Sequence, residues 1–181
     1  GNYAFYDCRS LTSIVIPDSV TTIGNRAFYD CYSLTSVIIP EGVTYIGDSA
    51  FQNCGSLTTI VIPSSVTGIE QCTFYNCINL KNLTIGSGVK YMSYRSFYGA
   101  NNIEKITVDK NNTKYDSRDN CNAIIEKKTN TLITGIKTTV IPTSVVNIGN
   151  YAFNGVKGLK EITIPEGVSS IGDLGFNYCD D

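Results

Sequence analysis

Seven cysteines are the residues of this chain with the most distinctive chemistry, and five of them recur in one register. Cys8, Cys31, Cys54 and Cys77 stand 23 residues apart, and Cys179 takes the same place in the last repeat unit. No C-x-x-C pair occurs, so the thiols do not suggest a zinc site. A column of parallel side chains is poor geometry for disulfides, and the odd count leaves at least one thiol free. We expect mostly or wholly reduced thiols that pack as small core residues, with some pairing as the alternative in an exported protein.

Other side chains that could support catalysis lack a suitable pattern. The chain has no His, which excludes Ser-His-Asp and Cys-His nucleophile systems and His-ligated zinc. Asp109, Asn111 and Thr113 match positions 1, 3 and 5 of a calcium loop, but Lys114 and Asn120 stand where that loop needs Gly and Glu. No spacing gathers the carboxylates and lysines into one pocket. We therefore expect no enzyme, no cofactor and no metal site.

Charge and hydropathy exclude two further classes of protein. The formal net charge is −2, which excludes a nucleic-acid binder that works by a bulk positive field. The chain has no run of 18 apolar residues, so this segment is not expected to insert into a membrane. A basic segment followed by an apolar run is also missing, so the sequence shows no signal peptide.

A repeat of 23 residues organises the whole chain. Phe recurs at this interval from Phe5 to Phe97 and again from Phe153 to Phe176, and the gap between the two series fits one 33-residue unit beside one ordinary unit. The pattern is L-x-x-I-x-I-P-x-x-V-x-x-I-G-x-x-A-F-x-x-C-x-x. The predicted units are 11–33, 34–56, 57–79, 80–102, the long unit 103–135, 136–158 and 159–181, after a partial coil at 1–10. We therefore predict a repeat solenoid in which 1–181 form a single domain.

Each position of the unit has a structural interpretation. Ile14 and Ile16 alternate with polar or exposed neighbours, which is typical of a short half-buried strand, and Pro17 ends that strand. The Val and Ile that follow indicate a second extended stretch. Ala27, Phe28 and Cys31 have the spacing of one helical or 3-10 turn that closes the coil. Stacked units then bring like residues together in Phe, Val and Ile ladders, with parallel strands between neighbouring coils.

The long unit 103–135 departs from the pattern in its second half. Ala123–Glu126 and Thr131–Thr134 flank Lys127–Asn130, which predicts a β-hairpin insertion. We expect its ten extra residues to protrude from the edge of the solenoid. Charged residues concentrate in this segment, which is either a solvated loop or a contact loop for a partner.

These units resemble a known family. LTSVIIPEGVTYIGDSAFQNCGS (34–56) is similar to the Treponema pallidum-type leucine-rich repeat found in BspA-like surface proteins of bacteria and some protists. The resemblance covers essentially the whole chain, and the long unit is similar to an insertion in proteins of gut Bacteroides-type bacteria. It implies a right-handed leucine-rich-repeat coil in a secreted or cell-surface protein, with an outer-membrane-anchored parent. It also implies adhesion to host matrix proteins or to other bacteria.

Two columns of side chains are candidate binding surfaces. The first lies between the inward residues of the main strand and is apolar at its N-terminal end. The second follows each Phe and contains Tyr, which can bind proteins or sugars or simply cover the turn beneath it. β-Branched residues also suit a sheet surface without any partner, so both interpretations of the first column stay open. The candidate residues are Val15, Ile38, Val61, Thr84, Thr107 and Val140 in the first column, and Tyr29, Tyr75 and Tyr98 in the second.

The function predicted from these features is recognition without catalysis. We expect a protein- or glycan-binding adhesion module of an exported bacterial surface protein, located outside the cell. Its partner would be a host extracellular-matrix protein, a glycan or a bacterial surface molecule. The alternative is a passive structural spacer within a larger surface protein. The last coil has no polar cap, so we also expect a fragment of a longer protein and end-to-end self-association.

Overall fold

The computed structural model describes residues 1–179. Its fourteen strands are β1 Ser13–Ile14, β2 Thr22–Ile23, β3 Ser36–Val37, β4 Tyr45–Ile46, β5 Thr59–Ile62, β6 Gly68–Ile69, β7 Asn82–Ile85, β8 Tyr91–Met92, β9 Lys105–Val108, β10 Tyr115–Asp116, β11 Ala123–Glu126, β12 Thr131–Gly135, β13 Asn147–Ile148 and β14 Ser170–Ile171. Arg118–Asn120 form a 3-10 turn. Asp180 and Asp181, the end of the predicted unit 159–181, lie outside the described residues.

The strands stack as two ribbons along a solenoid, which confirms the predicted fold class. In one ribbon β1 pairs with β3, and β5, β7 and β9 form a parallel sheet. In the other, β2, β4, β6 and β8 pair in parallel. In these two ribbons each paired residue has its partner 23 positions along the chain, as Ile60 has Leu83 and Leu83 has Ile106. The strands are short because a turn residue follows closely, as Pro63 follows β5 directly.

The segment that closes each coil consists of successive β-turns rather than the predicted helical or 3-10 turn. The amide of Ala27 donates to Gly24 O at 3.3 Å, and the amide of Phe28 donates to Ala50 O of the next coil at 2.7 Å. Arg26 (φ 51°) and Asp30 (φ 59°) adopt left-handed conformations. Because left-handed residues recur through these turns, every second amide points along the solenoid axis, where the next coil supplies an acceptor. A helical turn would direct these amides into the coil and leave the neighbouring carbonyls unpaired.

The interior is built from the predicted ladders. Phe28 and Phe51 stack with ring centroids 5.1 Å apart and planes 7° from parallel, and Phe51 and Phe74 stack at 5.4 Å. The Phe51 and Phe74 side chains are completely buried. Since each ring contacts rings of the neighbouring coils, one coil is stabilised by the next, as expected of a solenoid.

The hairpin of the long unit forms as predicted, but the expectation that it protrudes is wrong. β11 pairs with β12 in antiparallel register, and β12 continues in parallel with β13 of the next coil. Ile124, Ile125 and Leu132 are completely buried, and Ile124 packs into the N-terminal core whereas Ile125 and Leu132 pack into the C-terminal core. Apolar side chains on both faces of β11 close the ends of both cores, so burial holds the hairpin within the solenoid.

Asn112 marks the point where the long unit leaves the repeat pattern. It occupies the Val column, 23 residues after Val89, and is 1% exposed. Its Nδ2 donates to Gly86 O at 2.8 Å and to Val89 O at 3.0 Å, and its Oδ1 accepts the amides of Lys114 and Tyr115. All four hydrogen-bonding positions of the amide are therefore used. These bonds end the Val ladder and turn the chain toward β10.

Candidate binding surfaces

The N-terminal half of the main strand ribbon carries an exposed aliphatic stripe, formed by Val15, Ile38 and Val61. Their side chains are 90%, 81% and 52% exposed. Val61 lies beside Thr84, and Thr84 beside Thr107, in the registers of β5, β7 and β9. Across β5, β7 and β9 the column therefore changes from the aliphatic Val61 to the hydroxyl-bearing Thr84 and Thr107.

Polar side chains border this aliphatic stripe. Ser13, Ser36 and Thr59 are exposed two residues before the members of the stripe, and Lys105 is exposed in β9. Near Lys105, the Nζ atom of Lys81 lies 3.4 Å from Oε1 of Glu104 in an ion pair. An apolar centre with a polar rim is the usual arrangement of a protein-binding surface.

The structure does not place Val140 next to Thr107. The amide of Val140 donates to Cys121 O at 3.1 Å, and the amide of Ile106 donates to Asn122 Oδ1 at 3.2 Å. The chain around Cys121 therefore runs between β9 and Val140. Val140 is 74% exposed, but it belongs to a separate patch.

The tyrosines that follow each Phe form stacks along the turn edge. Tyr6 and Tyr29 stack at 5.0 Å, and Tyr75 and Tyr98 at 5.2 Å. Tyr29, Tyr75 and Tyr98 are half-buried, so each ring covers a turn and still presents one edge to solvent. The Tyr column thus has a packing role and leaves part of its aromatic surface accessible.

The second ribbon presents aromatic surface that the sequence reasoning did not single out. Tyr45 and Tyr91 are 41% and 52% exposed on β4 and β8, with Gly68 of β6 between them. A Cβ on Gly68 would lie 3.5 Å from both Tyr91 Cδ1 and Glu70 Oε1, so the Tyr91 ring and the Glu70 carboxylate both border the glycine. The sequence contained a signal for this surface. Tyr45 and Tyr91 each directly precede the inward-facing residue of their strand, which places the tyrosine on the outer face.

The cysteine column does more than fill the core. The thiols of Cys31, Cys54 and Cys77 donate to the carbonyl oxygens of Phe5, Phe28 and Phe51 in the preceding coil, with Sγ–O distances of 3.1, 3.2 and 3.2 Å. Within residues 1–179, Cys8, Cys31, Cys54, Cys72, Cys77 and Cys121 form no disulfide. Burial raises the pKa of the Cys31 thiol to about 11 and that of Cys77 to about 12, and it also raises the pKa of Cys54. These thiols are therefore protonated hydrogen-bond donors at neutral pH.

Residues 1–179 gather no group of three or more side chains suited to hold a metal ion. Asp109 instead accepts the amide of Asn111 at 2.8 Å in a local turn. In the same part of the chain, no helix has the length and hydropathy needed to cross a membrane.

The family comparison matches the whole chain. The model of the BspA type leucine rich repeat region, in six copies, matches residues 1–126 and 123–181. A search of curated proteins found no match.

Solved structures of bacterial leucine-rich repeat proteins share the fold. A leucine rich cell surface protein from Faecalibacterium prausnitzii is 27% identical, with a TM-score of 0.65, over 95% of this chain and 53% of that chain. A leucine-rich repeat protein from Eubacterium ventriosum is 26% identical, with a TM-score of 0.71, over 97% of this chain and 53% of that chain. The T. pallidum leucine rich repeat protein is 28% identical, with a TM-score of 0.62, over 94% of this chain and 64% of that chain.

The chain thus spans little more than half the length of the first two of these proteins. The repeat pattern, the stacked coils and the family match agree with one another along the sequence. The chain belongs to the BspA-type leucine-rich repeat family.

Proposed function

We propose that this chain is a protein-recognition module of a bacterial cell-surface protein and that it binds through the aliphatic stripe. The observation that supports this most directly is the exposure of Val15 and Ile38, at 90% and 81%, side by side on a rigid ribbon. Burying one such side chain in a complex contributes about 1.5–3 kcal/mol. Three adjacent ones with a polar rim provide the centre of a binding site.

The partner class follows from the chemistry of the stripe. Its three side chains are aliphatic and offer neither rings nor hydrogen-bonding groups, whereas sugar sites need both. A folded protein with its own apolar patch is therefore the fitting partner. The Faecalibacterium prausnitzii protein is described as a cell surface protein, which supports the same location for this chain. Adhesion to a host matrix protein or to another bacterium is the role that this surface would serve.

Binding to purified fibronectin, fibrinogen, laminin and collagen by biolayer interferometry tests the proposal. The variant Val15→Glu, Ile38→Glu, Val61→Glu places three charges in the stripe, and Val140→Glu places one charge on the separate patch. We expect saturable binding to at least one matrix protein, abolished in the triple variant and retained in Val140→Glu. Circular dichroism and thermal melting would show that both variants are folded. Equal binding by the triple variant would contradict the use of the stripe.

A passive spacer is the second candidate function. It is favoured by the N-terminal core, in which Phe28, Phe51 and Phe74 stack without a gap and hold successive coils at a fixed distance. A spacer predicts that no matrix protein binds in the same experiment.

A further inference from the structure

The turn edge of the solenoid is interrupted at the long unit. In the preceding coils the amides of Phe74 and Asn76 donate to Ser96 O and Tyr98 O of the next turn, at 2.8 and 2.7 Å. The long unit has a hairpin in place of this turn. Within residues 1–179, no backbone hydrogen bond joins the turn at 95–99 to the turn at 151–155. The two turns meet through side chains alone.

Aromatic rings change their arrangement at this interruption. Tyr75 and Tyr98 stack in parallel, but Tyr98 and Tyr151 meet edge to face, with planes 67° apart and centroids 6.4 Å apart. Tyr94 stacks on Tyr151 at 5.3 Å, and the guanidinium carbon of Arg95 lies 5.6 Å from the centroids of both rings. The regular stack thus ends with rings that line a groove.

Two adjoining hollows form this groove. One has a volume of about 460 Å³ between Tyr75, Tyr98, Tyr151 and Tyr178. The other, of about 340 Å³, extends past Asn101 and Lys157. Tyr98, Tyr178 and Asn154 line both. We call this the junction groove, and it lies on the turn edge rather than on the ribbon that carries the aliphatic stripe.

Asn154 is a nearly buried polar residue in the lining of the junction groove. It follows Phe153 and so stands in the Tyr column, where a ring would otherwise fill the space. Asn154 is 8% exposed, and its Oδ1 has no hydrogen-bond partner among residues 1–179. Its Nδ2 reaches Leu174 O at 3.4 Å, a long bond that costs little to exchange. A buried acceptor without a donor is unfavourable by about 1–3 kcal/mol, and rotation of the Asn154 side chain toward the groove would let a ligand hydroxyl donate to it and remove that cost.

We propose that the junction groove binds a pyranose unit of a glycan, independently of the protein-binding stripe. Tyr178 lines both hollows and is 67% exposed, so its ring suits the C–H face of a sugar, with Tyr98 beside it. The amides of Asn101, Asn154 and Asn177 supply both donors and acceptors for hydroxyl groups.

Other ligand classes fit the junction groove less well. A cationic ligand would meet the positive charges of Arg95 and Lys157, which line the two hollows. An apolar peptide side chain would lie against three asparagine amides and would find no purely apolar pocket. A sugar that carries a carboxylate gains attraction from the same two cations.

Titration with a panel of methyl glycosides tests the assignment. The probes are the methyl glycosides of glucose, galactose, N-acetylglucosamine and glucuronic acid, followed by ¹⁵N-resolved NMR of backbone and side-chain amides. We expect saturable shifts of the Asn154 side-chain amide with at least one probe. Tyr98→Ala and Asn154→Leu should each weaken that binding by about tenfold or more. Tyr29→Ala, in the same column but away from the groove, should leave it unchanged.

The outcomes separate this proposal from the proposed protein binding. Binding of the glucuronide that weakens with added salt would identify an acidic sugar as the ligand. Binding that does not change with salt would identify a neutral sugar. Either result supports binding in the groove. Absence of saturable shifts with all four probes, or binding equally retained in Tyr98→Ala and Asn154→Leu, would overturn it. The triple Val15→Glu, Ile38→Glu, Val61→Glu variant should bind the glycoside as the unmodified chain does, so failure of one site leaves the other testable.

Discussion

Gly135 lies directly against the ring of Phe153, and a methyl group at Gly135 would overlap three atoms of that ring. Phe153 is completely buried, and the amide of Gly135 donates to Ala152 O at 2.8 Å. In the ordinary coils another Phe fills the place beside each ring. At the long unit, the glycine backbone of β12 takes that place and lets the hairpin enter the core.

Gly135→Ala should therefore destabilise the fold. The added methyl group must displace the Phe153 ring within a closed core, and overpacking of this kind costs about 1–3 kcal/mol. Urea unfolding measures the change. Gly55→Ala is the matched control, since its Cβ would lie 3.8 Å from Ile78, an ordinary contact. Equal stability of the two variants would contradict this role of Gly135.

Asn112→Leu should destabilise the chain by about 2–4 kcal/mol, because buried carbonyls at Gly86 and Val89 lose their donors. The similar size of Leu separates the loss of hydrogen bonds from the loss of volume. Asn111→Leu, at an exposed neighbouring position, should change the free energy of unfolding by about 0.5 kcal/mol or less. If both variants unfold at the same urea concentration, the amide of Asn112 is not the anchor described above.

Glu126 should make the stability of the hairpin depend on pH. Its hydrogen bond with Lys114, and to a smaller extent its hydrogen bond with Thr129, lower the pKa of the carboxyl group below its usual value. A lowered pKa in the folded state means that the stabilisation is present above the unfolded pKa and is lost as pH falls through the folded pKa. The stability difference between the unmodified chain and Glu126→Gln should therefore be largest at neutral pH and shrink on acidification below pH ~4.

Chemical denaturation from pH 7 down to pH 3 measures that difference. Glu41→Gln serves as control, since Glu41 is exposed and forms no ion pair or side-chain hydrogen bond within residues 1–179. A Glu126→Gln variant that follows the unmodified chain at every pH would refute the contribution of the Lys114 pair.

The buried thiols should resist modification until the chain unfolds. Burial raises the pKa of Cys31 and Cys77, and a thiolate is the reactive form. With DTNB at pH 8, we expect Cys31, Cys54 and Cys77 to react only at the rate of unfolding. The half-buried Cys8 and Cys72 should react earlier. Peptide mapping of the labelled chain distinguishes the sites, and rapid labelling of Cys54 in the folded protein would contradict the buried column.

The repeat arithmetic predicted most of the architecture. A 23-residue period fixes the strand registers, because Ile60, Leu83 and Ile106 can only stack if each coil has the same path length. The two short segments that flank Lys127–Asn130 likewise predicted the hairpin. These features depend on pattern and chain length, which a sequence displays directly.

The features that the sequence did not predict depend on single contacts. Asn112 in a loop of polar residues looks like a solvated turn, and only the positions of Gly86 O and Val89 O reveal a buried anchor. The i→i+3 spacing of the closing segment fits a helix as well as a row of β-turns, and the acceptors of the next coil decide between them. The junction groove likewise arises because a hairpin replaces one turn, which brings Tyr98 and Tyr151 together across 53 positions of the sequence.

The central claim is that the aliphatic stripe binds a protein partner. The most direct measurement is the affinity of Val15→Glu and Val140→Glu for the matrix protein that the unmodified chain binds. The two changes replace the same residue type at exposures of 90% and 74%. We predict a loss of about thirtyfold or more for Val15→Glu, as for an apolar residue that becomes buried in an interface, and no change for Val140→Glu. Equal affinities of the two variants would contradict the claim.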